Sequence, residues 1–315
     1  MSDIFVEQIR PGQDVIGIFA LRSAKLLPFR DGSGHYLAAV LGDRTGQLEG
    51  RAWESGPEIY QSCRTGDIVR VQGQATEYNG RVQIQITAMT VCRDSEIEPG
   101  RFIPSSKLDR ETTRLKLKSL LESIKNPHLK TLLSTIFTDE AFLSAFLTAP
   151  AARRNHHAAT GGLLEHSLGV AAAAGRMTGT YPGLDRDLLV AGALLHDMGK
   201  VEEYSLGTDI DFTDEGRLLG HIVLGVRLLD RYVGRLPDFP DNLRLKLTHM
   251  LVSHHGQYEW QSPKRPKFIE AAVLHHLDMI DAAVDMFNTA VESREDPEEH
   301  WSGWIKGLER QVFCK

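Results

Sequence analysis

From residue 1 to about 92, apolar side chains come in short runs broken by glycine-bearing turns. His35 to Leu41 is a brief apolar stretch, and Gly46 to Trp53 alternates after a turn. Asp67 to Thr76 then leads through Tyr78-Asn79-Gly80-Arg81 into Val82 to Thr87. The Asn-Gly pair tolerates the positive φ angles of a type I′ turn, so Val82, Ile84 and Ile86 share one face of a returning strand. Short strands at this spacing predict a small closed β-barrel rather than a parallel sheet. Arg93 to Arg110 is polar, carries Pro99-Gly100 and Pro104, and reads as a linker.

The apolar period turns helical from about Thr112. Leu115, Leu117, Leu120, Leu121 and Ile124 open a helix that stops near Asn126-Pro127, and Leu129 to Ile136 begin another. Helical patterning continues to about Val291, with loops at Gly161-Gly162, Tyr181 to Gly183 and Pro237 to Asp241, and the acidic tract Glu292 to Glu299 reads as a solvated loop or frayed end. The fold class is therefore multidomain α and β, a small N-terminal barrel followed by an all-α bundle. The expected boundaries are 1–92 for the barrel, 93–110 linker, 111–150 helical connector, 151–291 main helical domain and 292–315 C-terminal tail.

At 315 residues the chain has room for two or three domains, and 42% hydrophobic with 25% charged residues is ordinary for a soluble globular protein. A net charge of −6 excludes a wholesale basic surface, so any nucleic-acid binding is local. Three cysteines, Cys63, Cys92 and Cys314, are too few for a disulfide framework and fit a reducing cytoplasm. No apolar run is long enough to span a bilayer, so no membrane partner is expected.

Histidines and aspartates recur in the helical part at His166, His196-Asp197, His221, His254-His255 and Asp278. Imidazole nitrogens and carboxylate oxygens are the ligand set of borderline divalent metals. Neighbours on a helix point about 100° apart, so His196 and Asp197 can serve one ion only near a helix end, or each can serve a different ion. Leu274, Asp278, Asp281 and Asp285 follow an i, i+4, i+7, i+11 spacing that puts three carboxylates on an apolar stripe. An unpaired buried carboxylate is very costly, so a cation is expected at Asp278 and a hydrogen bond to a ligating histidine at Asp281. His128, His249 and the pair His275-His276 read as ordinary packed or hydrogen-bonded residues, and Asp285 as a helix-surface or packing residue.

The ordered pattern resembles the HD-domain metal-dependent phosphohydrolases over about residues 150–290, with His-Asp-x-Gly-Lys at 196–200 and the double histidine at 254–255 as its specific parts. By that resemblance His166, His196, Asp197 and Asp278 would hold one metal, and His221, His254 and His255 a second, with Asp197 bridging. Relatives with a third metal carry a Glu four residues before the first histidine; Gly162 stands there, which implies two ions at most. The whole chain is similar to a narrower group, the bacterial YhaM-type 3′-5′ exoribonucleases, through Asn155-His156-His157-Ala158, Gly161 to Ser167, Asp187 to Glu203, Leu218 to His221 and Ser253 to Gly256. That resemblance implies an N-terminal OB-fold joined to an HD domain, with manganese or cobalt.

Two divalent ions can activate a water and neutralise a leaving oxygen. No activated Ser, Cys or Thr nucleophile is evident, so the catalytic group is expected to be Asp197 and His196 with their metals. Lys200 is then an ammonium placed to meet a scissile phosphate, and Arg153, Arg154, His156 and His157 are basic groups that could grip phosphates. On the barrel, Phe29, Tyr36, Trp53 and Tyr78 are candidate base-stacking aromatics, with Arg51 and Arg81 nearby. The leading expectation is an exonuclease acting on single-stranded RNA, with DNA also open. Manganese is the preferred ion, although these ligands also suit cobalt, iron, nickel or zinc. A small-nucleotide phosphohydrolase and a non-catalytic single-strand binder with a structural metal are the alternatives. A homo-oligomer is compatible with all three.

Overall fold

The computed structural model describes every residue except 1–3, 30, 79, 94–99, 104–105, 107–108, 154–156, 208, 293–299, 306 and 315. Asn79 of the turn, Arg154, Asn155, His156, Pro99 and Pro104 of the linker and most of the acidic tract therefore lie outside the described residues. Two compact units divide the chain. The first comprises Met1–Ser105 with Leu206–Ile210, and the second Ser106–Ser205 with Asp211–Lys315.

The first unit is a closed five-stranded barrel in the order β1-β2-β3-β5-β4. Its strands are β1 Asp14–Pro28, β2 His35–Asp43, β3 Gly46–Ala52, β4 Ile68–Tyr78 and β5 Arg81–Val91, with a short helix, α1, at Gly56–Ser62 between β3 and β4. β1 is long enough to pair with β4 through its first half and β2 through its second, and a parallel pairing of β3 with β5 closes the ring. Val15, Phe19, Leu21, Leu37, Leu41, Val71, Ile84 and Ile86 fill the interior.

The alternation rule that found four strands misses β1. Its centre, Ile18 to Leu21, is buried on both faces, because Ile18 and Ala20 pack with Ile68, Cys92 and Phe102 outside the barrel while Phe19 and Leu21 face inward. A strand covered twice shows a continuous apolar run instead of a period of two.

The second unit is helical. α2 (Arg110–Ser123), α3 (Pro127–Phe137), α4 (Glu140–Thr148), α5 (Gly162–Thr180) and α6 (Arg186–Leu195) come first. A four-residue helix, α7 (Lys200–Glu203), is followed by β6 (Tyr204–Leu206) and β7 (Ile210–Phe212), of which Leu206 and Ile210 belong to the first unit, then by α8 (Asp214–Val233), α9 (Asp241–Ser253) and α10 (Ile269–Glu292). Side-chain caps start several of these helices, with Asp109, Asn126, Asp139, Asp185 and Thr213 each accepting from a first-turn amide. α6 is the hub. All eight residues from Leu188 to Leu195 are buried, as a helix that is hydrophobic all round must be, and it packs against α5, α9 and α10. After α10 the chain does not simply trail away: Trp301 bridges to Phe313 and Ile305 to Arg310, and Val312 and Cys314 pack on Ala290. Among the described residues no helix is long and apolar enough to cross a membrane.

Candidate metal centre and aromatic face of the barrel

α6 stops at Leu195, so His196 and Asp197 sit in the turn that follows rather than within the helix. That turn frees two adjacent side chains from the 100° separation of a regular helix. Gly199 allows the turn to lie directly on α8, because a Cβ there would stand 1.9 Å from the His221 carbonyl oxygen and 2.5 Å from the Gly225 nitrogen. α8 itself is kinked at Gly220, whose φ of 71° and ψ of 160° are open to glycine and turn His221 toward Asp197.

His166, His196, Asp197 and Asp278 come together from α5, the α6 turn and α10. His166 Nε2 lies 3.2 Å from His196 Nε2, 3.2 Å from Asp278 Oδ1 and 3.6 Å from Asp197 Oδ2. His196 Nε2 is 3.3 Å from the same Asp197 oxygen. The other oxygen, Oδ1, faces the opposite way, with His221 Nε2 and His254 Nε2 each 3.5 Å from it. His255 joins that second group, its ring centroid 4.3 Å from that of His254 and 5.1 Å from that of His221. One carboxylate thus stands between two clusters of imidazoles.

The far side of every ring is engaged. Nδ1 of His196, His254 and His255 lies 2.9, 2.8 and 2.7 Å from the carbonyl oxygens of Ala193, Leu251 and Trp260. A carbonyl can only accept, so each Nδ1 donates and each Nε2 is left as a lone pair. His166 Nδ1 donates to Asp281 Oδ2 at 2.8 Å and His221 Nδ1 to Glu203 Oε1 at 3.2 Å. Glu203 also accepts from the His221 backbone nitrogen at 2.9 Å. Five imidazoles are oriented by their outer nitrogens, the arrangement found behind metal-ligating histidines.

Burial opposes charge throughout the cluster, yet Lys200 and the neighbouring imidazoles hold Asp197 well below the usual carboxylate range, and His166 does the same for Asp278. Against the same burial, Asp278 and Asp281 carry His166 up to about 10. Burial pushes His254 down, and His255 to about 4, so both stay neutral near pH 7.

The donor set fits divalent metal. Asp197 Oδ1, His221 Nε2 and His254 Nε2 are fully buried and have no hydrogen-bond partner among the described residues. Three electron-rich atoms facing one another without a proton between them are costly unless a cation shares them. On the other side, a cation can replace the proton of His166 and still compensate Asp197, Asp278 and Asp281.

Of the remaining sequence candidates, Lys200 and His157 border the cluster and the others lie apart from it. Lys200 is buried and its Nζ lies 2.7 Å from Asp197 Oδ2. Arg153 pairs with Asp211 at 3.6 Å. His157 sits among acids, with Nε2 3.1 Å from Asp281 Oδ2, and its backbone nitrogen donates to Asp285 Oδ2 at 2.8 Å. On the barrel, Phe29, Tyr36 and Trp53 form one partly exposed group, with Tyr36 and Trp53 centroids 4.6 Å apart and Phe29 and Trp53 6.2 Å apart and nearly parallel. Arg51 donates to the Tyr36 hydroxyl at 3.2 Å. Tyr78 and Arg81 are exposed on either side of the β4–β5 turn.

Sequence reasoning missed Glu203 and the Trp260 carbonyl. Glu203 lies eighteen residues before its partner His221, with β6, β7 and the first turns of α8 between them, so no local period links the two, and a backbone carbonyl has no signature in residue type.

The HD domain model matches residues 163–283, and a model described as an OB-fold nucleic acid binding domain matches 20–91. The chain is 35% identical over 308 residues to the 3′-5′ exoribonuclease YhaM of Shouchella clausii, covering 97% of this chain and 94% of the relative. The chain belongs to the YhaM 3′-5′ exoribonuclease family. The corresponding YhaM of Halalkalibacterium halodurans is 34% identical over 306 residues, covering 96% of this chain and 93% of that relative. A helicase model, TraI_2, also matches residues 109–181, a segment without the Gly-Lys dipeptide of a nucleotide-cradling loop. Within the YhaM family assignment, the OB-fold and HD domain account for the barrel and the bundle, and the HD domain implies dependence on divalent metal.

Proposed function

We propose that this protein is a metal-dependent 3′-5′ exonuclease that shortens single-stranded RNA in the cytoplasm. The observation that carries the reading is the division of Asp197, with one oxygen toward His166 and His196 and the other toward His221 and His254. Family membership supplies the polymer and the direction, since the two relatives are named for 3′-5′ exoribonuclease activity.

In this reading His166, His196, Asp197 and Asp278 would hold one ion, and His221, His254, His255 and the shared Asp197 the other, with manganese preferred. Such a pair supplies an activated water and neutralises charge on the phosphate when bound. Asp281 and Glu203 orient His166 and His221 through their outer nitrogens. Lys200 keeps its ammonium on Asp197 until a phosphate enters, then shares its three donors between them. The barrel, residues 1–92, holds the single strand through Trp53, Tyr36 and Phe29, where bases stack beside Arg51; Tyr78 and Arg81 extend that surface.

The test uses 5′-labelled RNA, the same RNA blocked at its 3′ end, and cyclic dinucleotides, each with manganese. Stepwise shortening that 3′ blocking stops is the expected result, and Asp197→Ala is expected to be inactive. Cleavage of the cyclic dinucleotides alone, or full activity in Asp197→Ala, overturns the reading.

A further inference from the structure

Immediately after the ligand-type pair His254-His255 the chain makes a loop, Gln257-Tyr258-Glu259-Trp260-Gln261-Ser262-Pro263-Lys264-Arg265-Pro266-Lys267. Three cations against one carboxylate make it locally basic in a chain of net charge −6. Lys264, Arg265 and Lys267 are all exposed. So are Tyr258 and Trp260, at 57% and 48%, a high exposure for rings of that size in a well-anchored loop.

The loop is fastened to the metal cage. The Trp260 carbonyl accepts from His255 Nδ1 at 2.7 Å, so the residue that displays an indole also orients an imidazole of the cage. Gly256, at φ +75°, lets the backbone press on the His275 ring, where a Cβ would meet ring atoms at 2.4 Å. Ser262 Oγ donates to the Val252 and Lys264 carbonyls, and the Lys267 nitrogen donates to His249 Nε2 at 3.0 Å. The Arg265 guanidinium lies over the Tyr258 ring, 4.9 Å from its centroid, and keeps the ring in place.

The position of the loop matters as much as its composition. His166, His196 and His254 are buried, whereas His221 and His255 are only partly so, which makes the His255 side the accessible rim of the cage. An aromatic pair interleaved with cations at that rim has the chemistry of a single-strand platform, rings for bases and ammonium or guanidinium groups for the backbone.

We infer that Tyr258 and Trp260 stack bases at the 3′ end of the RNA, while Lys264, Arg265 and Lys267 hold its phosphates, so that this loop positions the scissile bond at the cage. The inference rests on the exoribonuclease reading and adds strand-binding residues beyond the barrel's aromatics. The loop acts on binding and register, not on the chemistry of cleavage.

The test compares the parent with Tyr258→Ala, Trp260→Ala and Trp260→Phe in two assays with manganese, RNA shortening and hydrolysis of bis(4-nitrophenyl) phosphate, which offers no base. A third measurement is binding of a 5′-fluorescein trinucleotide RNA under chelator. The alanine variants keep the Trp260 carbonyl and are expected to raise the KM for RNA about tenfold, the worth of a stacked base. They are expected to weaken trinucleotide binding similarly, with Trp260→Phe near the parent, and Tyr258→Ala, at a residue that does not orient His255, is expected to leave hydrolysis of the small diester untouched. Replacing Lys264, Arg265 and Lys267 by Gln is expected to flatten the salt dependence of binding by about 0.7 in log–log slope per lost phosphate contact. Unchanged RNA KM and unchanged binding overturn the inference. So does a parallel loss on both substrates, which would mark the loop as a prop for His255. A parent that binds the trinucleotide through this loop but does not shorten RNA sinks the exoribonuclease reading instead.

Discussion

Lys200 Nζ stands 2.7 Å from Asp197 Oδ2, the carboxylate oxygen that also faces His166 and His196. An ammonium and a metal ion on the same oxygen would repel one another, so in the proposed site the lysine would not serve to build the metal centre. Its replacement by Met removes a positive charge and is expected to leave divalent binding equal or tighter. Turnover is expected to fall about 100-fold, the cost of losing one positioned donor to a developing oxyanion. Calorimetric titration with manganese beside steady-state kinetics on RNA checks both halves. Loss of metal affinity would make Lys200 a support for Asp197.

Glu203 holds His221 twice, through Nδ1 and through the backbone nitrogen. Burial raises the Glu203 carboxyl, but these bonds from His221 bring it below the usual carboxylate range, so it is ionised at neutral pH. Glu203→Gln keeps the shape and loses the charge. Metal affinity on the His221, His254 and His255 side is expected to drop about 10- to 100-fold, with the His166 side unchanged. Metal content measured across a chelator series should resolve the two classes of ion.

Gly199→Ala places a methyl group against backbone atoms of α8 that cannot rotate away. The contact between the His196-Asp197 turn and α8 has to open, at an expected cost of about 3 kcal/mol. Denaturant unfolding should show the loss in midpoint with little change in slope. A variant as stable as the parent would mean the turn can shift without cost.

His249 fastens the basic loop by accepting at Nε2 from the Lys267 nitrogen. Burial, and then the charge of Lys267, lower its pKa below 6.5. A histidine depressed in the folded state contributes stability that is full above its unfolded pKa of about 6.5 and fades as pH falls toward the folded value. His249→Gln can still accept at this position but does not titrate. The parent is therefore expected to lose stability relative to His249→Gln as pH drops below 6.5, and urea midpoints at pH 5 and pH 8 would detect it. An equal difference at both pH values would remove His249 from the account.

Much of this was open to view in the primary structure. Ligand chemistry is confined to few residue types, so His166, His196-Asp197, His221, His254-His255 and Asp278 stand out in order without any coordinates. Helical spacing put Asp278 and Asp281 on one stripe, and an Asn-Gly turn with alternating apolar residues marked the β4–β5 hairpin. Strand β1 escaped because burial on both faces erases the alternation that identifies a strand.

The sequence by itself determined which groups exist and the fold class, a β-barrel ahead of a helical bundle, because local periodicity and side-chain chemistry are properties of the chain. The family resemblance implied Asp197 between two groups, and only the tertiary structure decided which of its oxygens faces which imidazole cluster. It alone showed that Lys200 rests on that carboxylate and that His157 lies among acids. It also revealed that three ring nitrogens are oriented by backbone carbonyls. Those carbonyls belong to every residue type alike, so their direction is set by packing and cannot be written in the sequence.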